Sequence, residues 1–278
     1  MTTTPSASES GCGSCPAHHA GNLIRLGIDM ADFDYVVALA GTPNTGKSTV
    51  FNSLTGLRQH TENWPGKTVT RAEGGFSYGG SRYKLIDLPG TYSLLSTSHD
   101  EEVARDFILF GRPDVTVVVV DATRLERNLN LVLQVLEITD RAVVCLNLMD
   151  EAKRNGLSLD ERRLSRDLGI PVVPTAARSN EGIPLLIQTV SEVAAGETVC
   201  KPHRIQGTPP ALNRALDELA TKLEAEYPGL PNARWVALRL LEGDPSIKDA
   251  IRTGALGDLR QNDGLRMDEM TANVEAAR

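Results

Sequence analysis

The chain has 278 residues, room for about two domains with buried cores. Hydrophobic residues at 41% and charged residues at 23% are ordinary globular composition, which excludes a disordered or fibrous chain. With 36 acidic against 29 basic residues the net charge is −7, which argues against a nucleic-acid partner, since that needs a basic face. The start, MTTTPSASES, lacks the basic and apolar regions of a secretory signal. The longest strongly apolar run, Val115–Val120, falls far short of the roughly 20 residues that span a bilayer. The four cysteines are therefore expected as reduced thiols in the cytosol.

In chain order, residues 1–34 read as a mobile tail and lead-in, rich at first in Ser, Thr, Gly and Pro. Residues 35–200 alternate strand and helix signals. Tyr35–Ala40 is a buried-strand run that leads into a glycine-rich turn and a helix from Lys47. Phe76–Tyr78 and Tyr83–Ile86 flank Gly79-Gly80 as a hairpin. Val115–Val120 and Ala142–Leu146 are continuous β-rich runs, as expected of strands covered on both faces. Leu125–Ile138 between them has helical spacing, and a short strand at Ile170–Pro174 precedes a helix at Ile183–Val193. This alternation predicts an α/β domain with a mostly parallel, doubly wound sheet. After the proline-rich Thr198–Pro210, residues 201–278 show no strand. Helices are expected at Ala211–Tyr227, with Leu212, Leu216, Leu219 and Leu223 in one stripe, and at Ala233–Glu242. This part reads as a small all-helical domain.

Gly41-Thr42-Pro43-Asn44-Thr45-Gly46-Lys47-Ser48 matches G-x-x-x-x-G-K-[ST] in full, between a strand and a helix. The glycines let backbone N–H groups curl around a phosphate, and the helix N-terminus adds unpaired donors. Lys47 is placed to reach the β- and γ-phosphates and Ser48 to ligate Mg²⁺; Thr49 follows in the first helical turn. About 40 residues on, Asp87-Leu88-Pro89-Gly90 ends a strand, where Asp87 can hold Mg²⁺ through water and the Gly90 amide can sense the γ-phosphate. Asn147-Leu148-Met149-Asp150 ends another. The Asp150 carboxylate can accept from N1 and N2 of guanine, donors adenine does not present in that arrangement. Thr175-Ala176-Ala177-Arg178 follows the next strand and can aim a backbone N–H at guanine O6, although Ala176 stands where Ser is more usual. Thr68, 20 residues beyond Ser48, can complete the Mg²⁺ shell and release it after hydrolysis. Trp64 beside it is either a packing anchor or a sensor. Together these predict a P-loop GTPase fold that binds GTP and GDP.

The chain resembles the cytosolic GTPase module of the bacterial ferrous iron transporter B family over roughly residues 35–275. The resemblance is carried by Asn63–Val69, Asp87–Leu94, Asp100–Arg105 and Asp121–Leu129 as well as by the general motifs. It implies that Gly66, Lys67 and Val69 join Thr68 at the nucleotide, that Met149 accompanies Asp150, and that Asn44 helps to bind K⁺. Lys47, Thr68, Asn44 and Gly90 are then the candidate catalytic groups. Thr91 stands where many GTPases place a water-orienting Gln, which implies slow hydrolysis. Leu148 replaces the Lys that commonly covers the guanine face, which implies faster nucleotide release. Glu62 departs from the family's Gly and could alter the hinge freedom of the loop that follows.

The resemblance further implies that the helical part links the GTPase to a membrane domain, placing the module at the cytoplasmic face of the bacterial inner membrane. There it would power or regulate ferrous iron uptake, with a small cytosolic regulatory protein and a second copy as possible partners. Two other readings stay open: a stand-alone GTPase of ribosome or tRNA metabolism, and a nucleotide-sensing module with little turnover. The acidic charge counts against the first; hydrolysis in K⁺ decides the second.

Cys12, Cys15, His18 and His19 gather two thiols and two imidazoles within eight residues, a ligand-like set for Zn²⁺ or Fe²⁺. The alternative is a tail whose Cys and His never converge. Cys145 reads as a packing residue in a buried strand, Cys200 as a connector residue, and His60 and His99 as solvated loop histidines.

Overall fold

A computed structural model of the chain describes residues 23, 26–56, 59–64, 69–95, 98–204, 209–228, 230 and 232–252. Its centre is a seven-stranded sheet of β1 (Tyr35–Gly41), β2 (Gln59–Asn63), β3 (Thr70–Tyr78), β4 (Ser81–Asp87), β5 (Val115–Asp121), β6 (Ala142–Asn147) and β7 (Val172–Pro174), in the order β2-β3-β4-β1-β5-β6-β7. From β4 to β7 every pairing is parallel, while β2, β3 and β4 pair antiparallel. The register aligns Leu39 with Asp87, Gly41 with Val119 and Asp121 with Asn147. The strand ends that carry the phosphate-loop and base motifs are therefore level along one edge. This P-loop GTPase-like mixed sheet is the fold the sequence predicts.

Side chains alternate across the sheet and build two cores. Val36, Ala38 and Ile86 face α2 (His99–Asp106), a π-helical turn at Phe107–Gly111 and α3 (Leu125–Ile138). Val37, Leu39 and Leu85 face α1 (Lys47–Thr55) and α6 (Ile183–Ala194). α4 (Met149–Arg154) and α5 (Glu161–Leu168) connect β6 to β7 and add Ala152 and Leu168 to the first core. The lead-in is packed: Leu23 and Ile28 are buried and join the first core.

The helical part is α7 (Pro210–Glu226), α8 (Ala233–Glu242) and α9 (Pro245–Arg252). Leu216, Ala220 and Leu223 form the buried stripe of α7, and Leu212 is 38% exposed one turn before it. The expected stripe thus holds in part, with Ala220 in it and Leu212 outside. This unit docks on the end of α3. Asn232 Nδ2 donates to the carbonyls of Glu137 (2.7 Å) and Ile138 (3.2 Å), groups the helix end leaves without intrahelical partners. Arg105, 2% exposed, donates to Ser246 Oγ at 3.0 Å. Among the described residues no helix is long and apolar enough to cross a membrane.

Candidate functional site

The loop after β1 turns through Asn44 (φ 67) and Gly46 (φ 80), both left-handed. At Gly46 only glycine fits, because a Cβ would overlap Asn147 Nδ2 and the backbone conformation disfavours side chains. Thr45 Oγ1 donates to the Thr42 carbonyl at 2.9 Å and closes the turn. Thr42 Oγ1 donates to Asn128 Oδ1 on α3 at 2.6 Å, and Asn128 Nδ2 donates to the Arg124 carbonyl at 2.8 Å. Pro43, Asn44, Ser48 and Thr49 are exposed, so the loop and the first turn of α1 face solvent while buried threonines hold them from beneath.

Lys47 Nζ pairs with Asp87 Oδ1 and donates to the Leu88 carbonyl at 2.8 Å. Burial raises the Asp87 pKa above the usual 3.8, and Lys47 only partly offsets it. Thr91 N donates to the Gly41 carbonyl at 3.3 Å, which lays the Asp87–Gly90 run against the phosphate loop.

Asn147, at the end of β6, ties the base motifs to the phosphate loop. Its Nδ2 donates to the Thr45 carbonyl at 3.0 Å. Its Oδ1 accepts from Ala177 N at 3.0 Å and from Thr175 Oγ1 at 3.2 Å. Leu148 is left-handed (φ 62), turning the chain sharply into α4, and Met149 N donates to the Thr175 carbonyl at 3.1 Å. Asp150 in the first turn is half-exposed and accepts from Arg154 at 3.1 Å. Ala176 and Ala177 are buried at the end of β7 and Arg178 is exposed. The structure therefore brings together the residues singled out in 41–49, at Asp87 and Gly90, and in 147–150 and 175–178. They sit at the carboxyl ends of parallel strands, where open α/β sheets bind ligands.

Gly66, Lys67 and Thr68 lie outside the described residues, as do Cys12, Cys15, His18 and His19. Val69 is described: its carbonyl accepts from Trp64 N at 2.9 Å. Trp64 is 4% exposed and meets the Phe107 ring edge-on at 5.3 Å, so it is a packing anchor. Glu62 is exposed and pairs with Arg71 at 2.9 Å. Among the described residues no group of His, Cys, Asp and Glu is arranged to hold a metal ion. Cys145 is fully buried, which pushes its thiol up to about 12. Cys200 is half-buried. His60 is exposed and His99 lies 3.3 Å from Glu102.

Sequence reasoning missed Asn128, Gln134 and Arg71. Gln134 Oε1 accepts from Leu94 N at 2.6 Å, holding the segment that follows Gly90. Asn128 had a readable signal, since it shares a helical face with Leu131, Val132 and Val135, all buried.

Residues 35–190 match the family described as ferrous iron transport protein B, and residues 209–277 the one described as the FeoB cytosolic helical domain. The chain belongs to the ferrous iron transport protein B family. It is 43% identical over 212 residues to the Fe(2+) transporter FeoB of Escherichia coli K12, covering 75% of this chain and 27% of that protein. The chain thus spans about a quarter of the length of the curated relatives it matches. The cytosolic domain of T. maritima FeoB in its apo form is 36% identical, with a TM-score of 0.70, covering 84% of this chain and 88% of that one. The FeoB G-domain of Methanococcus jannaschii is 45% identical with a TM-score of 0.52, covering 58% of this chain and 97% of that one. Its first domain is accordingly a G domain of this family, a P-loop GTPase domain, followed by the family's helical domain.

Proposed function

We propose that this chain is the module that binds and hydrolyses GTP on behalf of a ferrous iron transporter, powering or regulating iron uptake through a membrane domain joined to it. The observation that carries the reading is the Asn147 side chain, which joins Thr45 of the phosphate loop to Ala177 behind the base-reading Asp150. A triphosphate and a purine base would thus be held by one rigid unit.

In this reading Lys47 exchanges its pairing with Asp87 for the β- and γ-phosphates, and the loop N–H groups with the start of α1 take the remaining phosphate charge. A water attacks the γ-phosphate, and the bond to the β-phosphate oxygen breaks to leave GDP and phosphate. The protein contributes position and electrostatics rather than a covalent intermediate. The Gly90 amide senses the γ-phosphate, and Asp150 reads guanine. Ser48, Thr68 and a charged Asp87 are the hard oxygen ligands that suit Mg²⁺, and the exposed Asn44 suits K⁺. When bound, the two cations neutralise the charge that develops between the β- and γ-phosphates. Thr91, where a water-orienting group would help, is buried and offers no general base, which supports slow turnover.

The test is binding and single-turnover hydrolysis of GTP and ATP with Mg²⁺, in K⁺ and in Na⁺. Tight GTP binding, weak ATP binding and faster hydrolysis in K⁺ are expected. Turnover in neither salt would leave a binding module, and equal use of ATP would remove the guanine assignment.

A further inference from the structure

The lead-in, residues 26–34, lies outside the segment that matches the family, which starts at Tyr35. Even so, it is built into the sheet. Asp34 exchanges hydrogen bonds with Arg82 at the start of β4 (2.8 and 2.7 Å), and Ile28 is 1% exposed. It covers the face of β3 and β4 that presents Arg71, Glu73 and Lys84, charges whose burial costs free energy unless each finds partners. Lys84 Nζ donates to the Asp29 carbonyl at 2.6 Å and lies 2.8 Å from Glu73. Arg71, 1% exposed, donates from Nη1 to the Leu26 carbonyl at 2.8 Å. Its Nη2 donates to the Gly27 carbonyl and to Glu62, both at 2.9 Å, and its Nε lies 2.6 Å from Glu73.

The same guanidinium lies over the Trp64 ring, 5.1 Å from its centroid. Trp64 N donates to the Val69 carbonyl at 2.9 Å, and these two residues are the ends of the segment that carries Thr68. One buried arginine thus touches both the lead-in and the base of that segment.

We infer that the lead-in belongs to the nucleotide switch. Arg71 is a positioning residue, aimed by the Leu26 and Gly27 carbonyls, that fixes Trp64 and with it the Trp64–Val69 pair between which Thr68 falls in the sequence. The inference rests on the reading of the chain as a GTP-binding module with Thr68 at the γ-phosphate. A merely covering segment could do its work with apolar side chains; this one supplies directional backbone acceptors to buried charges, two of them to Arg71 alone. Since switch segments are ordered by γ-phosphate contacts, the docked lead-in favours GTP and leaves GDP unaffected. By linkage, GTP tightens the lead-in.

Two full-length variants test this. Gly27→Val puts a β-branched residue at a left-handed position (φ 77) and reshapes the turn that offers the two carbonyls, while leaving the Arg71 side chain and the residues of the nucleotide loops unsubstituted. Arg71→Lys keeps the charge beside Glu73 but loses the fork. The affinity for a non-hydrolysable GTP analogue is expected to fall about tenfold in each, with GDP affinity changing less than about twofold. In a Trp235→Phe background the emission of Trp64, then the chain's single tryptophan, shifts on addition of the analogue in the parent and less so in the variants. Amide exchange in the unaltered sequence should be slower at residues 26–29 with the GTP analogue than with GDP, a measurement that does not depend on either variant folding. Equal losses for both nucleotides, unchanged affinities, or exchange that ignores the γ-phosphate would overturn the inference. Failure of the underlying GTP reading would look different, since the unaltered chain would bind neither nucleotide.

Discussion

Thr42 and Asn128 stand 86 positions apart in sequence, and their buried side chains meet in a 2.6 Å hydrogen bond beneath the phosphate loop. The helix that carries Asn128 also accepts Leu94 N through Gln134 and receives Asn232 of the helical part on its last carbonyls. Phosphate loop, the segment after Gly90 and helical part therefore lean on one rigid element, α3. Asn128→Ala would leave the Thr42 hydroxyl buried without its acceptor, at a cost of about 1–3 kcal/mol. Denaturant unfolding should show that loss, and calorimetry a comparable loss of GTP affinity. Unchanged GTP affinity in a destabilised variant would reduce Asn128 to a packing role.

Asp150 tests the base assignment. Its carboxylate is half-exposed in the first turn of α4, held toward that turn by Arg154. Asp150→Asn replaces a double acceptor by a group with one donor and one acceptor face. GTP affinity should fall roughly 10- to 100-fold, the range for losing charge-assisted hydrogen bonds. Xanthosine triphosphate, which offers an acceptor in place of the guanine amino group, should gain. Competition binding with the two nucleotides reads this directly, and retained GTP preference would move base recognition elsewhere.

The limits of reading the sequence follow from what side-chain pattern encodes. Continuous apolar runs such as Val115–Val120 gave the central strands, and Leu125–Ile138 emerged as a helix with the expected bounds, because burial on a fixed period leaves a local trace. The phosphate loop was legible because its chemistry demands particular residue types at short spacing. β2, with the sequence Gln59-His60-Thr61-Glu62-Asn63, has no apolar face and exists through its ladder with β3. The burial of Arg71 and Lys84 has no local signal, because the carbonyls that make it tolerable belong to residues 26, 27 and 29. Partners that are backbone atoms of a distant segment leave no mark on sequence pattern.

Asn44 tests the cation. It is exposed and left-handed beside the phosphates' expected seat, so its amide oxygen can be removed without disturbing a core. Asn44→Ala should retain GTP binding within a fewfold and lose the difference between K⁺ and Na⁺ in single-turnover hydrolysis. If the cation replaces a positive group at the transition state, the K⁺ stimulation lost should be on the order of 10-fold or more. A variant still stimulated by K⁺ would separate the cation effect from this residue.

Asp87 links the site to stability. Burial raises its pKa in the folded chain above 3.8, even with Lys47 beside it. Below 3.8 the carboxyl is protonated in both states, and the folded form keeps its full relative stability. As pH rises from there through the raised value, the unfolded chain ionises first, and the folded state progressively loses that stability. Near neutral pH the ionised carboxylate is therefore a cost to the nucleotide-free fold. Asp87→Asn removes the titrating group while preserving shape, so the variant should unfold at or above the parent's Tm at pH 7. The advantage should shrink as the pH is lowered toward 3.8. The same variant should lose Mg²⁺-dependent GTP affinity, because a neutral amide is a poor ligand for a hard dication. Mg²⁺-dependent binding by the unaltered chain should likewise weaken on acidification at a higher pH than an ordinary aspartate would cause. Thermal unfolding of both chains across pH 4.5–7.5 without nucleotide, beside GTP titrations with and without Mg²⁺, separates the two effects. A variant less stable than the parent at pH 7 would mean that pairing with Lys47 outweighs burial, and that Asp87 is held for the fold rather than for the nucleotide.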